Sequence, residues 1–323
     1  MTLGSQGAEC DGGHTWKNPQ VQIDNLTNRV SSTSQRRLRI AAIRFLNPAP
    51  LMWDFEHPPL ARELAQRYEI RWILPSQCAD ELAGGAADIG LVPIASLATT
   101  PGLRILPGCT IASKGRVRSL LLVRRASQRL DRLRSVAADT ASRTTIAYSR
   151  MLFHKWGNPD VPFVPMAADI DVMLGSADAA IIIGDPALMA LEERANRFER
   201  TGEELVYHDL AEEWRNLTGL PFVSAVWGAA HGSTVWGEPL DESLSNDFIR
   251  SRDHGLQNID ALVEHWSRQL PLSENTVRSY LTTNIHYVLD EECIEGMRGF
   301  FRMAAETGVL PQYELPPLEL ANK

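Results

Sequence analysis

Hydroxyls, a guanidinium and the start of a helix come together between Ser135 and Gly157, in SVAADTASRTTIAYSRMLFHKWG. Ser135 to Ala138 read as a strand closed by Asp139, and Thr140, Ser142 and Thr144 supply side-chain oxygens where a helix begins. A helix start presents unpaired N–H donors and the positive end of the dipole, so these hydroxyls with Arg143 suit a carboxylate or phosphate. The same residues serve equally as an ordinary Ser/Thr cap beside a solvated arginine. Beyond them Ile146, Tyr148, Leu152, Phe153 and Trp156 share one side of a helical wheel, Arg150, His154 and Lys155 fall on the other, and Gly157 ends the helix.

Two more strand ends carry candidate chemistry. Leu38 to Ile43 predict a strand, and Asn47-Pro48-Ala49-Pro50 a turn off its C-terminal end, where ligands of open α/β sheets sit. The Asn47 amide can donate to a carboxylate or ether oxygen and accept from a hydroxyl, or it can merely stabilise a turn before proline. In IIIGDPAL, Gly184 and Asp185 follow a buried apolar run. Asp185 before Pro186 reads first as the N-cap and first residue of a new helix, yet it also lies where a ligand would be.

The elements that must position these residues fit a layered α/β protein. A helix over Pro59 to Arg67, a strand over Tyr68 to Leu74, a helix from about Ser76 and a strand over Ala87 to Val92 alternate as in a largely parallel sheet. The pattern recurs: Leu82, Gly85, Ala87 and Asp88 precede one apolar strand, and Val172, Gly175, Ala177 and Asp178 precede another at matching offsets. Two continuous apolar runs, RVRSLLLVRR with Ser119 at its start and PFVSAVWGAA, predict strands crossing between two lobes. The expected organisation is a disordered extension over 1–36, a discontinuous first lobe of 38–119 and 226–323, and a second lobe of 120–225. From Asp241 onward four helices are expected, each begun by Asp, Asn or Ser and two stopped by glycine, packing on the first lobe without chemistry of their own. LPPLEL ends the chain as a tail.

With 323 residues and 44% hydrophobic content, the chain can bury a real core in two lobes. A net charge of -8 argues against a general nucleic-acid surface, despite the local run Arg116, Arg118, Arg124, Arg125, Arg129, Arg132 and Arg134. Cys10, Cys78, Cys109 and Cys293 are widely spaced, which fits neither a zinc site nor a disulfide framework and suits a reducing compartment. The histidines are equally scattered, so no metal is expected. No apolar run in residues 1–36 is long enough for a signal-peptide core or a membrane span.

Taken together, FLNPAPL, DIGLVP, IASKGRVRSLLL, DTASRTT, ADAAIIIGDPAL and EEWRNLTGLPFVSAVW resemble the chorismate dehydratases of the futalosine route to menaquinone, in order over about residues 38–230. The resemblance implies a two-lobed α/β fold like that of type II periplasmic solute-binding proteins, with the ligand cleft between the lobes, used as a cytoplasmic lyase. The implied reaction converts chorismate to 3-[(1-carboxyvinyl)oxy]benzoate and water without a cofactor, the substrate's own enolpyruvyl carboxylate acting as base. Asn47 and Ser119 match the positions linked to catalysis, and Ser142, Arg143 and Thr144 the carboxylate-binding turn; Gly184 and Asp185 are expected to bind substrate from their place at a strand end of the second lobe. The chain departs from the family at Arg116, where proline is usual in a Gly-Pro-Val turn, and around Thr145, where a second serine is expected. The implied partner is the small-molecule substrate alone, without nucleic acid or membrane, the protein being a monomer or homodimer. Alternatives of the same fold are the sister enzyme of the pathway that forms dihydroxynaphthoate and a non-catalytic solute-binding protein.

Overall fold

The computed structural model describes residues 36–230 and 242–318, so the expected N-terminal extension lies, apart from Arg36, outside the described residues. A first, six-stranded sheet is built from β1 (Leu38–Ile43), β2 (Tyr68–Ile73), β3 (Ile89–Pro93), β4 (Leu103–Ser113), β10 (Phe222–Ala230) and β11 (His286–Val288), in the order β11-β4-β10-β3-β1-β2. The second contains β5 (Leu120–Arg125), β6 (Val136–Asp139), β7 (Phe163–Met166), β8 (Ala179–Ile183) and β9 (Leu205–Asp209), in the order β7-β6-β8-β5-β9. In the first sheet β1 runs parallel to β2 and β3, while β10 runs antiparallel to β3 and β4. In the second, β6 runs parallel to β7 and β8, while β5 runs antiparallel to β8 and β9. The run β2-β1-β3-β10-β4 thus repeats strand for strand as β7-β6-β8-β5-β9, and in each lobe the fourth strand arrives from the other lobe.

The repeated aspartates explain how both sheets begin alike. Asp88 takes the backbone N–H of Arg39 at 2.8 Å, with Arg39 Nε and Nη2 each at 3.1 Å. Asp178 takes the N–H of Arg134 at 2.8 Å, with Arg134 Nε at 3.1 Å and Nη2 at 3.0 Å. One carboxylate per lobe therefore holds the entry to the first parallel strand with a charge-assisted fork. The buried strand β5 then divides its side chains between two cores. Leu120 and Leu122 join the main core and Leu121 and Val123 the smaller one, as period-2 alternation requires of a strand covered on both faces.

Two sequence expectations change. β10 begins at Phe222 and pairs with the first sheet along its length, so it spans the expected boundary between residues 225 and 226. The helix Glu242–Gln257 runs through Gly255 instead of stopping there. A Cβ at Gly255 would lie 2.2 Å from the carbonyl oxygen of Pro50, so the glycine is there to let the helix touch the turn after β1. The other three expected helices run over Ile259–Gln269, Glu274–Ser279 and Glu291–Glu306. Ser273 and Asp290 cap the last two, accepting from the N–H groups of Thr276 and Cys293 at 3.1 and 2.9 Å. Among the described residues no helix is long and apolar enough to cross a membrane.

Candidate active site

The turns that leave the C-terminal ends of the parallel strands meet between the lobes, and they meet crosswise. From the first lobe, the Leu46 N–H after β1 donates to Asp185 Oδ1 after β8 at 2.9 Å. The Ala95 N–H after β3 reaches Thr144 Oγ1, after β6, at 3.3 Å, and that hydroxyl donates to the Ser224 carbonyl of β10 at 3.0 Å. Gly184 has a positive φ of 66°, and a Cβ there would come within 2.7 Å of the Phe45 ring. Glycine at 184 therefore serves both the left-handed turn and the close approach of the other lobe. Tyr148 packs against Trp214 and Phe222 with ring centroids 5.3 and 5.2 Å apart, which fixes the helix Thr144–Lys155 against β10.

Within the second lobe, Asp139 binds the junction together. Its carboxylate takes the N–H of Ala141 at 2.9 Å and of Ile183 at 3.1 Å, tying the turn after β6 to the end of β8. The segment that leads into β5 lies alongside. The Gly184 N–H donates to the Ser119 carbonyl at 2.8 Å, and Tyr280 Oη donates to Ser119 Oγ at 2.7 Å. Asp209 accepts from the N–H groups of Val117 and Arg118, at 3.1 and 2.6 Å, and Arg118 holds a positive φ of 69° that is rare for a side chain of its size.

The structure brings Ser119, Gly184 and Asp185 into direct contact with one another or with the turn that carries Asn47. Asn47 Oδ1 is buried and has no hydrogen-bond partner among the described residues. The helix start behaves differently from an ordinary cap. The helix begins at Thr144 with Arg143 in the capping position, and no side chain caps it, so the expected role of Thr140 and Ser142 hydroxyls as caps is not the one they take. The first-turn N–H groups remain as donors for an anion. Ser142 is buried in that turn, while the Arg143 guanidinium is ion-paired with Asp80 of the first lobe. The Thr144 hydroxyl is already used on both sides by the first lobe, which leaves its backbone N–H as what it offers a ligand.

Asp185 also departs from its simplest reading. The helix starts at Gly184, Ile183 occupies the capping position, and the Asp185 carboxylate reaches Leu46 instead of its own helix. Burial pushes its carboxyl up to about 6, only partly offset by the Leu46 N–H. Burial likewise raises Asp139 and Asp209, each against several backbone donors. Tyr280, Asp139 and Asp80 were absent from the sequence candidates. Tyr280 sits in a helical run whose aromatic residue looks like core, and only the return of the C-terminal region to the crossing segment gives it a polar partner. Elsewhere, His286, Asp290 and Cys293 place ligand atoms within 4.8 Å of one another, but the Lys114 ammonium lies 2.8 Å from Asp290 Oδ2 and supplies the positive charge.

These donors can hold and orient an oxygen-rich anion, with hydroxyl, amide, guanidinium and backbone N–H groups supplied from both lobes. The chain is similar to a chorismate dehydratase of Thermus thermophilus, 27% identical over 267 residues that cover 80% of this chain and 91% of that protein. Solved structures of the same fold include a protein of Archaeoglobus fulgidus, with a TM-score of 0.64 at 15% identity over 85% of this chain and 98% of its own. The alkanesulfonate-binding protein of Xanthomonas axonopodis pv. citri, bound to MOPS, has a TM-score of 0.59 at 17% identity, covering 85% and 94% of the two chains. A Candida albicans protein described as having the generic periplasmic binding protein fold has a TM-score of 0.57 at 15% identity, covering 86% and 92%. With its two lobes of this fold and a family model for menaquinone biosynthesis matched from residue 38 to residue 306, the chain belongs to the menaquinone biosynthesis family.

Proposed function

We propose that the protein is a chorismate dehydratase, a hydro-lyase that converts chorismate to 3-[(1-carboxyvinyl)oxy]benzoate and water in the futalosine route to menaquinone. The observation that carries this reading is the linkage of these turns at one junction between lobes: Leu46, beside Asn47, donates to Asp185, Gly184 donates to the Ser119 carbonyl, and Asp139 ties the end of β8 to the turn before the uncapped helix start at Thr144. Chorismate carries two carboxylates, an ether and a ring hydroxyl, and needs such oriented donors. The reaction removes the ring proton beside the ether and expels the neighbouring hydroxyl. The C–H pair becomes a ring double bond as the C–O bond breaks, and aromaticity supplies much of the driving force.

The protein's part is positioning and charge stabilisation. Arg143, Ser142 and the Thr144 N–H hold one carboxylate, while Gly184 and Asp185 close the site from the second lobe. Asn47 and Ser119 orient the enolpyruvyl group and the ring hydroxyl, with the substrate's enolpyruvyl carboxylate taking the ring proton and that proton leaving with the expelled hydroxyl as water. No cofactor enters this scheme. The reaction is assigned to the cytoplasm, which suits the buried free thiols of Cys78, Cys109 and Cys293.

Purified protein given chorismate without added metal or nucleotide should form a product lighter by one water, read by mass spectrometry. Tight binding of chorismate without turnover would make it a solute-binding protein instead.

A further inference from the structure

We propose that Tyr280 is a positioning residue that sets the Ser119 hydroxyl as a hydrogen-bond donor toward the substrate, an inference that rests on the role given to Ser119 above. The two oxygens are 2.7 Å apart and both side chains are buried. Of two hydroxyls at this distance the phenol is the more acidic and donates, so Ser119 Oγ accepts and its own proton points elsewhere. Burial raises the Tyr280 phenol, which keeps its proton across the neutral range. A hydroxyl that accepts one hydrogen bond gives a stronger one. That is the property a serine needs if its partner is a hydroxyl gaining negative charge as its C–O bond breaks.

The local backbone is arranged around this contact. The helix Glu274–Ser279 passes into a π-helical turn over Tyr280–Asn284, closed by the Ile285 N–H on the Tyr280 carbonyl at 3.1 Å. Such turns are rare and re-aim side chains at functional sites. On either side of Tyr280 the same turn grips the crossing segment, since Arg118 Nη1 donates to Ser279 Oγ at 3.4 Å and Asn284 Nδ2 to the Arg116 carbonyl at 3.0 Å. Asp209 holds the Val117 and Arg118 N–H groups from the other lobe. The left-handed backbone at Arg118 is thus over-determined from both sides, and the residue it delivers is Ser119.

The test is Tyr280→Phe, which deletes the oxygen and keeps the ring, made alone and together with Ser119→Ala. With chorismate, kcat should fall about tenfold or more while KM stays within about twofold and the melting temperature moves little. The double variant should turn over no more slowly than Ser119→Ala, because the tyrosine acts through the serine. A wild-type kcat in Tyr280→Phe, or a double variant slower than Ser119→Ala by the whole single factor, overturns the proposal and leaves the dehydratase standing. Ser119→Ala at wild-type speed overturns the serine's role and the tyrosine's with it. A wild-type protein that does not consume chorismate fails the functional reading itself and, with it, this proposal.

Discussion

Asp185 joins the lobes through the Leu46 N–H, and its burial has a consequence for stability that can be read from its sign. The carboxyl is raised from an ordinary 3.8 to about 6. Below pH 3.8 it is protonated in the folded and the unfolded chain alike. Between 3.8 and 6 the unfolded chain gives up the proton first, so stability falls as pH rises through this window and stays lowered above it. Two pKa units correspond to about 3 kcal/mol. Asparagine keeps a carbonyl for Leu46 and never ionises. Asp185→Asn should therefore be more stable than the parent at pH 7.5 by about 1–3 kcal/mol, the gap closing toward pH 4. The raised carboxyls of Asp139 and Asp209 are common to both proteins and cancel in the difference. Denaturant melts of the two proteins from pH 4 to 8 measure it, and a gap independent of pH would mean that Asp185 does not ionise at this site. A loss of chorismate turnover in the stabilised variant is the expected companion, as for other charges retained for function at the expense of stability.

At the scale of elements, the helix Pro75–Ala83 of the first lobe and the helix Thr144–Lys155 of the second meet through Asp80 and Arg143. The Asp80 carboxylate pairs with the guanidinium proposed to hold a substrate carboxylate, and its side chain is 66% exposed, so the pair is worth only about 0.2–1 kcal/mol. Asp80→Asn removes the competitor and should lower KM for chorismate by up to about fivefold with kcat unchanged. Arg143→Ala should raise KM roughly ten- to a hundredfold, the scale of a charge-assisted hydrogen bond of about 1.5–3 kcal/mol made before and during the reaction. Steady-state kinetics decide both, and a rise in KM on Asp80→Asn would mean that Asp80 helps to hold the arginine in place for substrate. The strands and helices behind these contacts were legible in the chain, because β1, β8 and the helix Thr144–Lys155 follow from local apolar pattern. The matched Asp88 and Asp178 also announced the repeat, since each acts on a strand entry that its own local sequence defines. What local pattern could not carry was the partner of a side chain. Asp185-Pro186 looks like a cap until Leu46 arrives from the other lobe, Gly255 looks like a stop until Pro50 lies against it, and Tyr280 looks like core until Ser119 reaches its hydroxyl.

For the molecule as a whole, the crosswise pairing of turns makes one surface serve as both closure and site. Leu46 and Ala95 give their N–H groups from the first lobe to Asp185 and Thr144 on the second, on either side of the place assigned to substrate. If chorismate enters between the lobes, these two hydrogen bonds, each worth about 1 kcal/mol net, must part, together with the Gly184–Phe45 approach and the Asp80–Arg143 pair. The strands themselves do not need to break. β5 and β10 are each paired wholly within one sheet, so a change in the angle between the lobes would fall on the short segments that lead into them, against the grip that Asp209, Ser279 and Asn284 keep on Arg116–Ser119. A ligand that contacts both lobes shifts the population toward the closed form by its differential affinity for that form. Amide exchange reports this directly, because the Leu46 and Ala95 N–H groups are protected only while the lobes are together. Saturating 3-[(1-carboxyvinyl)oxy]benzoate should slow deuterium uptake at Leu46 and Ala95 by about tenfold or more, with little change at Ile40 or Val123, which lie inside the sheets and stay bonded in either form. Uptake at Leu46 and Ala95 that is already as slow without ligand, and unchanged with it, would mean that the junction is rigid and that substrate enters by another path.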